Sequence, residues 1–130
     1  MASVYLDTSA LGRLLLGEPD APALLEALDD FDACVASRLM ALELRRLAIR
    51  HDRRRQAERL LEAVSLVPIT EGLLTAAETV SPTTVATPDA IHLATALELA
   101  AAGLLDAMIT YDARLVGAAR DHEIAVLSPR

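Results

Sequence analysis

A chain of 130 residues is close to the modal size of one domain, and 53% hydrophobic content with two Tyr, one Phe and no Trp makes its core aliphatic. So few aromatics exclude base stacking as the main binding device, and a formal net charge of −7 opposes nucleic-acid binding unless cations offset the acids. Every basic residue is Arg, so Walker-type phosphate loops, Schiff-base chemistry and phospho-relay receiver sites, each of which needs Lys, are excluded.

Short apolar runs alternate with longer helical patterns, the signature of βαβ units around a parallel sheet. The first run, Val4 to Leu6, reads as a strand. Leu11 to Leu16 and Ala21 to Leu28 read as helices separated by the breaker Gly17, Glu18, Pro19, Asp20, with Asp20 as cap of the second. Ala33 to Ala36 is a second strand, and Ser37 an N-cap for a helix to about Arg50. Asp52 is expected to cap a further helix to about Ala63, forming a helical hairpin ahead of a strand at Leu66 to Ile69. A helix from Glu71 to about Val80 ends near Ser81 and Pro82, and a polar loop, Thr83 to Thr87, follows. Thr87, Pro88 and Asp89 supply a cap hydroxyl, a proline at the first position and an acid at the positive end of the dipole, for a helix running to Gly103. Strands at Ala107 to Thr110 and Ile124 to Leu127 close the chain. No repeat or linker divides residues 1–130, which read as one domain. Cys34, alone in an apolar segment, permits no intrachain disulfide and suits a reducing cytosol. With no apolar run long enough to span a bilayer, the expectation is a soluble cytoplasmic protein.

In an open parallel sheet, ligands bind beyond the carboxyl ends of the strands. Asp7 follows the first strand, and Asp112 the fourth. A right-handed crossover starts each helix at that same edge, which brings Glu43, early in the helix after Ser37, and Asp89 to it as well. Each acid has a plain alternative. Asp7 and Asp112 could be loop-initiating residues, Glu43 could pair with Arg46 one turn on, and Asp89 could complement a helix dipole. Together, however, four carboxylates without cations repel one another, and a half-buried Glu43 beside Leu39, Met40 and Leu47 calls for a strong partner. A metal answers both problems. Oxygen-only ligands indicate Mg²⁺ or Mn²⁺ and argue against zinc. Four acids on metal would reduce the free charge to about −3 before the ions are counted. A crowd of Arg45, Arg46, Arg50, Arg53, Arg54, Arg55 and Arg59 is then either a grip for a phosphate backbone or a solvated face with Glu58 and Glu62 as partners. His92, one turn beyond Asp89, is within reach of the site, although a solitary His is more often structural. Tyr5 and Tyr111 read as packed. Ser9 in place of a second acid tells against a phosphatase of the Asp-x-Asp type, and Leu11 against an adhesion-type Asp-x-Ser-x-Ser site.

Four segments, VYLDTSAL around Asp7, ASRLMALELRR around Glu43, TPDAIHLATAL around Asp89 and MITYDARL around Asp112, resemble the PIN-domain family, and within it the VapC-type toxins of bacterial toxin–antitoxin pairs. The resemblance spans the chain from first strand to last. It implies a three-layer α/β/α sandwich with strand order 3-2-1-4-5. It also implies a Mg²⁺- or Mn²⁺-dependent endoribonuclease with Asp7, Glu43, Asp89 and Asp112 as catalytic metal ligands, held in check by a cognate antitoxin and often dimeric. Ser9 and Thr110 match positions whose hydroxyls orient the acids or a water. At Arg114 the chain departs from many members, which carry a further acid there. That leaves one ion or two open and offers Arg114, like Arg46, as a contact for substrate phosphate. The competing reading is a catalytically weak module of the same fold that acts by binding protein or RNA.

Overall fold

A computed structural model describes residues 2–130. Its strands are β1 (Ser3–Leu6), β2 (Ala33–Ser37), β3 (Val64–Val67), β4 (Ala107–Ile109) and β5 (Val126–Leu127). Seven helices connect them: α1 (Thr8–Leu16), α2 (Ala21–Leu28), α3 (Arg38–Arg50), α4 (Arg54–Glu62), α5 (Glu71–Thr79), α6 (Thr87–Ala101) and α7 (Ala113–Asp121). All strand pairs are parallel and the order is β3-β2-β1-β4-β5, as expected.

The two faces of the sheet follow from the period of two along each strand. Val4 and Leu6 of β1, with Ala107 and Ile109 of β4, point into a core completed by Leu11 and Leu15 of α1, Met40 and Leu44 of α3 and Leu61 of α4. Tyr5 and Met108, one residue out of step, point the other way and meet Leu93 and Ala96 of α6 and Leu115 and Ala118 of α7. Helices therefore cover both faces, giving three layers, and α5 packs on α6 at the margin. Each fully buried Leu contributes roughly 1.5–3 kcal/mol. Among the described residues no helix is long and apolar enough to cross a membrane.

Several boundaries differ from expectation. β3 begins at Val64 and not at Leu66, pairing Val64 with Cys34 and Val67 with Ser37, and it stops before Pro68, which has no N–H to give to a ladder. Asp52 does not cap α4. It sits at φ 55° in the turn between the helices, Arg53 takes the cap position, and no side chain caps that end. Thr87 is likewise inside α6, with Ala86 at the cap position and no side-chain cap bond. Asp20 holds the cap position of α2 without a cap bond, its carboxylate instead lying 3.1 Å from Arg13 Nε. The helix expected from Leu11 starts earlier, at Thr8, because Asp7 caps it. It ends at Gly17, whose φ of 63° a side chain would strain. Finally, α7 was not anticipated between the last two strands, and its cap is Asp112.

Candidate functional site

The register of the two central strands sets Leu6 beside Ile109, so the residues that follow, Asp7 and Thr110, meet at the carboxyl edge. Thr110 Oγ1 donates to Asp7 Oδ2 at 2.7 Å, and Ser9 Oγ donates to Asp7 Oδ1 at 2.7 Å. The same Oδ1 accepts the Ala10 N–H at 3.1 Å, the cap bond of α1. Asp7 is 3% exposed and makes no ion pair among the described residues. Burial pushes its carboxyl above the ordinary value of 3.8, and the hydroxyls of Thr110 and Ser9 pull it only part of the way back.

Ser9 and Thr110 also tie Asp7 to the next turn of chain. Ser9 Oγ accepts the Tyr111 N–H at 2.9 Å, and Thr110 Oγ1 accepts the Asp112 N–H at 3.1 Å. Asp112 in turn caps α7, its Oδ1 accepting from Arg114 N at 2.9 Å and Leu115 N at 3.0 Å. The plain alternative of loop-initiating residues thus takes the form of helix caps at both Asp7 and Asp112. It leaves the Oδ2 of Asp112 without a hydrogen bond among the described residues.

Glu43, on the second turn of α3, does not pair with Arg46. Thr8 Oγ1 donates to its Oε1 at 2.6 Å, and His92 Nε2 lies 3.0 Å from the same oxygen. Burial raises the Glu43 carboxyl, but the bonds from His92 and Thr8 outweigh it and the net shift is downward from 4.5. Asp89, half-buried in the first turn of α6, makes no hydrogen bond among the described residues. Burial raises it above 3.8, and the negative charge of Asp112 does so next, opposed by His92 and joined by Asp7 and Glu43. Asp89 thus lies in the field of the other three acids.

A divalent ion would answer this charge problem, and the donors suit one. All four are carboxylates from separate elements. Asp7 and Glu43 are held by internal donors, and Asp89 and Asp112 keep oxygens free. Among the described residues, no three carboxylate, imidazole or thiol groups converge as a ready-made cage. Mg²⁺ does not require one, since it characteristically keeps several waters and takes one or two carboxylates plus phosphate oxygens.

Sequence reasoning undervalued the groups around the acids. His92 is 2% exposed and bridges Glu43 to the buried hydroxyl of Tyr5, whose oxygen lies 2.6 Å from His92 Nδ1. Burial lifts the Tyr5 phenol far above its ordinary range, so it stays protonated. Thr8 had no signal of its own, being one more small residue of a cap. Arg13 was not singled out either, yet its guanidinium stacks 4.3 Å over the Tyr111 ring and, with Arg50, borders the groove lined by Thr8, Ser9 and Glu43. Of the Arg crowd, Arg45 is paired with Glu58 at 2.9 Å, and Arg53 Nη1 reaches the Leu15 carbonyl at 3.4 Å. Arg46 and Arg114 are exposed and make no ion pair among the described residues.

A sequence profile of the PIN domain matches residues 4–121. The chain is 36% identical over 133 residues to ribonuclease VapC47 of Mycobacterium tuberculosis (strain CDC 1551 / Oshkosh), covering 97% of this chain and 96% of that protein. It is 34% identical over 131 residues to ribonuclease VapC46 of M. tuberculosis (strain ATCC 25618 / H37Rv), covering 99% of each. In three dimensions it is similar to a chain of a toxin–antitoxin complex from Klebsiella pneumoniae, with a TM-score of 0.76, 19% identity and 98% of both chains covered.

Proposed function

The chain belongs to the PIN domain family, in its VapC branch, and from that premise we propose that it is a Mg²⁺- or Mn²⁺-dependent endoribonuclease, the toxin of a toxin–antitoxin pair. The observation that most supports this is the state of Asp7, a buried carboxylate with three hydrogen-bond donors and no ion pair among the described residues, beside an Asp89 that feels the charge of the other three acids. A fold does not keep such a group for stability alone, because an unpaired buried charge is costly.

Asp7, Glu43, Asp89 and Asp112 are the residues that would hold the ion. When bound, a divalent ion supplies a nucleophilic water at neutral pH and offsets charge on the scissile phosphodiester. Asp7 is oriented by Ser9 and Thr110, which fix its rotamer from two different elements. Asp112 is fixed through its Oδ1 by the first turn of α7 and presents its other oxygen. Asp89, with no internal bond, is free to turn toward an ion or to accept a proton. Arg13 and Arg50 border the groove and would meet substrate phosphates there, with Arg46 and Arg114 as further contacts at the rim. The partner that restrains the activity is a cognate antitoxin, in keeping with the complex from K. pneumoniae. A homodimer acting in the cytoplasm completes the proposal.

The test is cleavage of RNA by purified protein with Mg²⁺ or Mn²⁺, with and without chelator, alongside Asp7→Asn shown to be folded by its melting curve. Metal-dependent cleavage lost in the variant is expected. Cleavage that survives chelation overturns the reading. Growth unharmed by expression without a partner, and indifferent to Asp7→Asn, favours the binding-module alternative instead.

A further inference from the structure

The hydrogen bonds around His92 can be followed from one end to the other, and the carboxylate of Glu43, which can only accept, fixes the direction at its end. The Ser37 backbone N–H donates to the Tyr5 hydroxyl oxygen at 3.1 Å. That donor has no choice of role, because an amide N–H cannot accept. The Tyr5 oxygen keeps a further lone pair as well as its proton, so its 2.6 Å contact with His92 Nδ1 can be made with either partner's hydrogen. At the other end Nε2 donates to Glu43 Oε1 at 3.0 Å, which a carboxylate requires, since a bare Nε2 would set two lone pairs against each other.

The chain ends on an oxygen that already holds a donor. Thr8 Oγ1 reaches the same Oε1 at 2.6 Å, so both donors fall on one side of the carboxylate. Among the described residues Oε2 accepts nothing, and it is not sealed from solvent. We infer that His92 is a positioning residue for Glu43: Tyr5 holds its ring through Nδ1, its Nε2–H and the Thr8 hydroxyl saturate Oε1, and the carboxylate is presented to an ion through Oε2 alone. The inference rests on the functional reading above in taking Glu43 as an ion ligand.

The arrangement is rigid because its members come from four separate elements. Tyr5 is on β1, Ser37 ends β2, Glu43 is on α3 and His92 is on α6. Tyr5 and His92 are 0% and 2% exposed and meet edge to face, with ring centroids 5.8 Å apart, so neither ring can swing without disturbing the core. A hydrogen-bonded ligand loses less freedom on binding, and removal of such a supporting group commonly costs about 10–100-fold in metal affinity or activity.

Two measurements on the full chain test this. Long-range ¹⁵N–¹H correlation spectra of the metal-free wild type should show His92 protonated at Nε2. Mn²⁺ alone is then titrated into wild type, His92→Leu, His92→Gln and Tyr5→Phe, each first shown to melt cooperatively. His92→Leu should bind Mn²⁺ about tenfold or more weakly. His92→Gln, whose amide can still donate to Oε1, should remain near wild type. Tyr5→Phe, which frees the ring at Nδ1, should weaken binding in the same direction as His92→Leu. A His92 with no proton on Nε2, or a folded His92→Leu with wild-type affinity, overturns the inference. Should His92→Leu fail to fold, unchanged affinity in Tyr5→Phe overturns it equally. A wild type that shows the expected tautomer but binds no Mn²⁺ overturns the functional reading, and with it the ligand role of Glu43.

Discussion

Replacing Asp7 by Asn should make the metal-free protein more stable while abolishing its stabilisation by metal. The side chain is almost the same size, and Asn Oδ1 can still accept from Ala10 N and Ser9 Oγ, while Thr110 can rotate its hydroxyl to receive the amide. The variant gives up bonds to a charged acceptor, about 1.5–3 kcal/mol each, for neutral ones of about 1 kcal/mol. It also escapes the desolvation of a carboxylate that is 3% exposed and unpaired. The upward shift of the Asp7 carboxyl means that desolvation is the larger effect, so the net change is stabilising, on the order of 1–2 kcal/mol at pH 7. The pH dependence has a definite sign. Because folding raises this carboxyl above 3.8, the folded state holds the proton longer, and wild-type stability falls as pH rises from 3.8 through the raised value. Asn lacks that decline. Mn²⁺ at a hundred times its dissociation constant should then return about 2.7 kcal/mol to wild type and nothing to the variant. For a chain of this length that is about 10 °C in melting temperature. Thermal and urea melts of both proteins, from pH 4 to 8 with and without Mn²⁺, provide the check. An Asp7→Asn protein less stable than metal-free wild type at pH 7 would refute the reasoning.

Thr110→Val removes the donor to Asp7 and the acceptor for Asp112 N together, and should cost about 2–4 kcal/mol in urea unfolding at pH 7. On the Asp7→Asn background the cost should shrink, because the bond no longer ends on a charge, and an unchanged cost in that double-mutant cycle refutes a charge-assisted bond. Ser37→Ala deletes the side-chain cap of α3 and should cost about 1 kcal/mol. It leaves the His92 tautomer unaltered, since the bond to Tyr5 comes from the backbone N–H, and the ¹⁵N spectrum checks this. Arg45→Ala should leave the melting temperature where it is, because the Arg45–Glu58 pair is solvent-exposed.

The parts of the fold that could be read from sequence were those where one physical pattern dominates. The apolar strands around Tyr5 and Met108, and the acids directly after them, needed only the rule that sites form at the carboxyl edge. The expected strand at Leu66 to Ile69 is shifted by two residues against β3, because Val64 and Ser65 lie behind a helix end with no strong breaker and the apolar Ile69 draws the pattern past Pro68, where the ladder stops. α7 escaped notice because its buried positions are Leu115, Ala118 and Ala119, too small to make a strong stripe between the exposed Arg114 and Arg120. Asp52 and Thr87 are both competent caps by composition. Which residue actually caps is decided by backbone angles at the turn, and those depend on how the neighbouring helices dock. His92 was hardest to judge, because its partners Tyr5 and Glu43 are 87 and 49 residues away. A pairing of that separation leaves no local trace beyond the placing of His92 one turn from Asp89.

The strand order has a further consequence for synthesis. Asp7 directly follows β1, yet one of its two side-chain donors is 103 residues downstream, just after a strand that docks beside β1. Long-range pairings of this kind form late, since the loop between them must be closed first. A ribosome-bound chain that has not yet emitted residue 110 has no Thr110 to steady that carboxylate and no Asp112 beside it. The cleft can be assembled only after β4 and the start of α7 have been made, so its carboxylates come into register late.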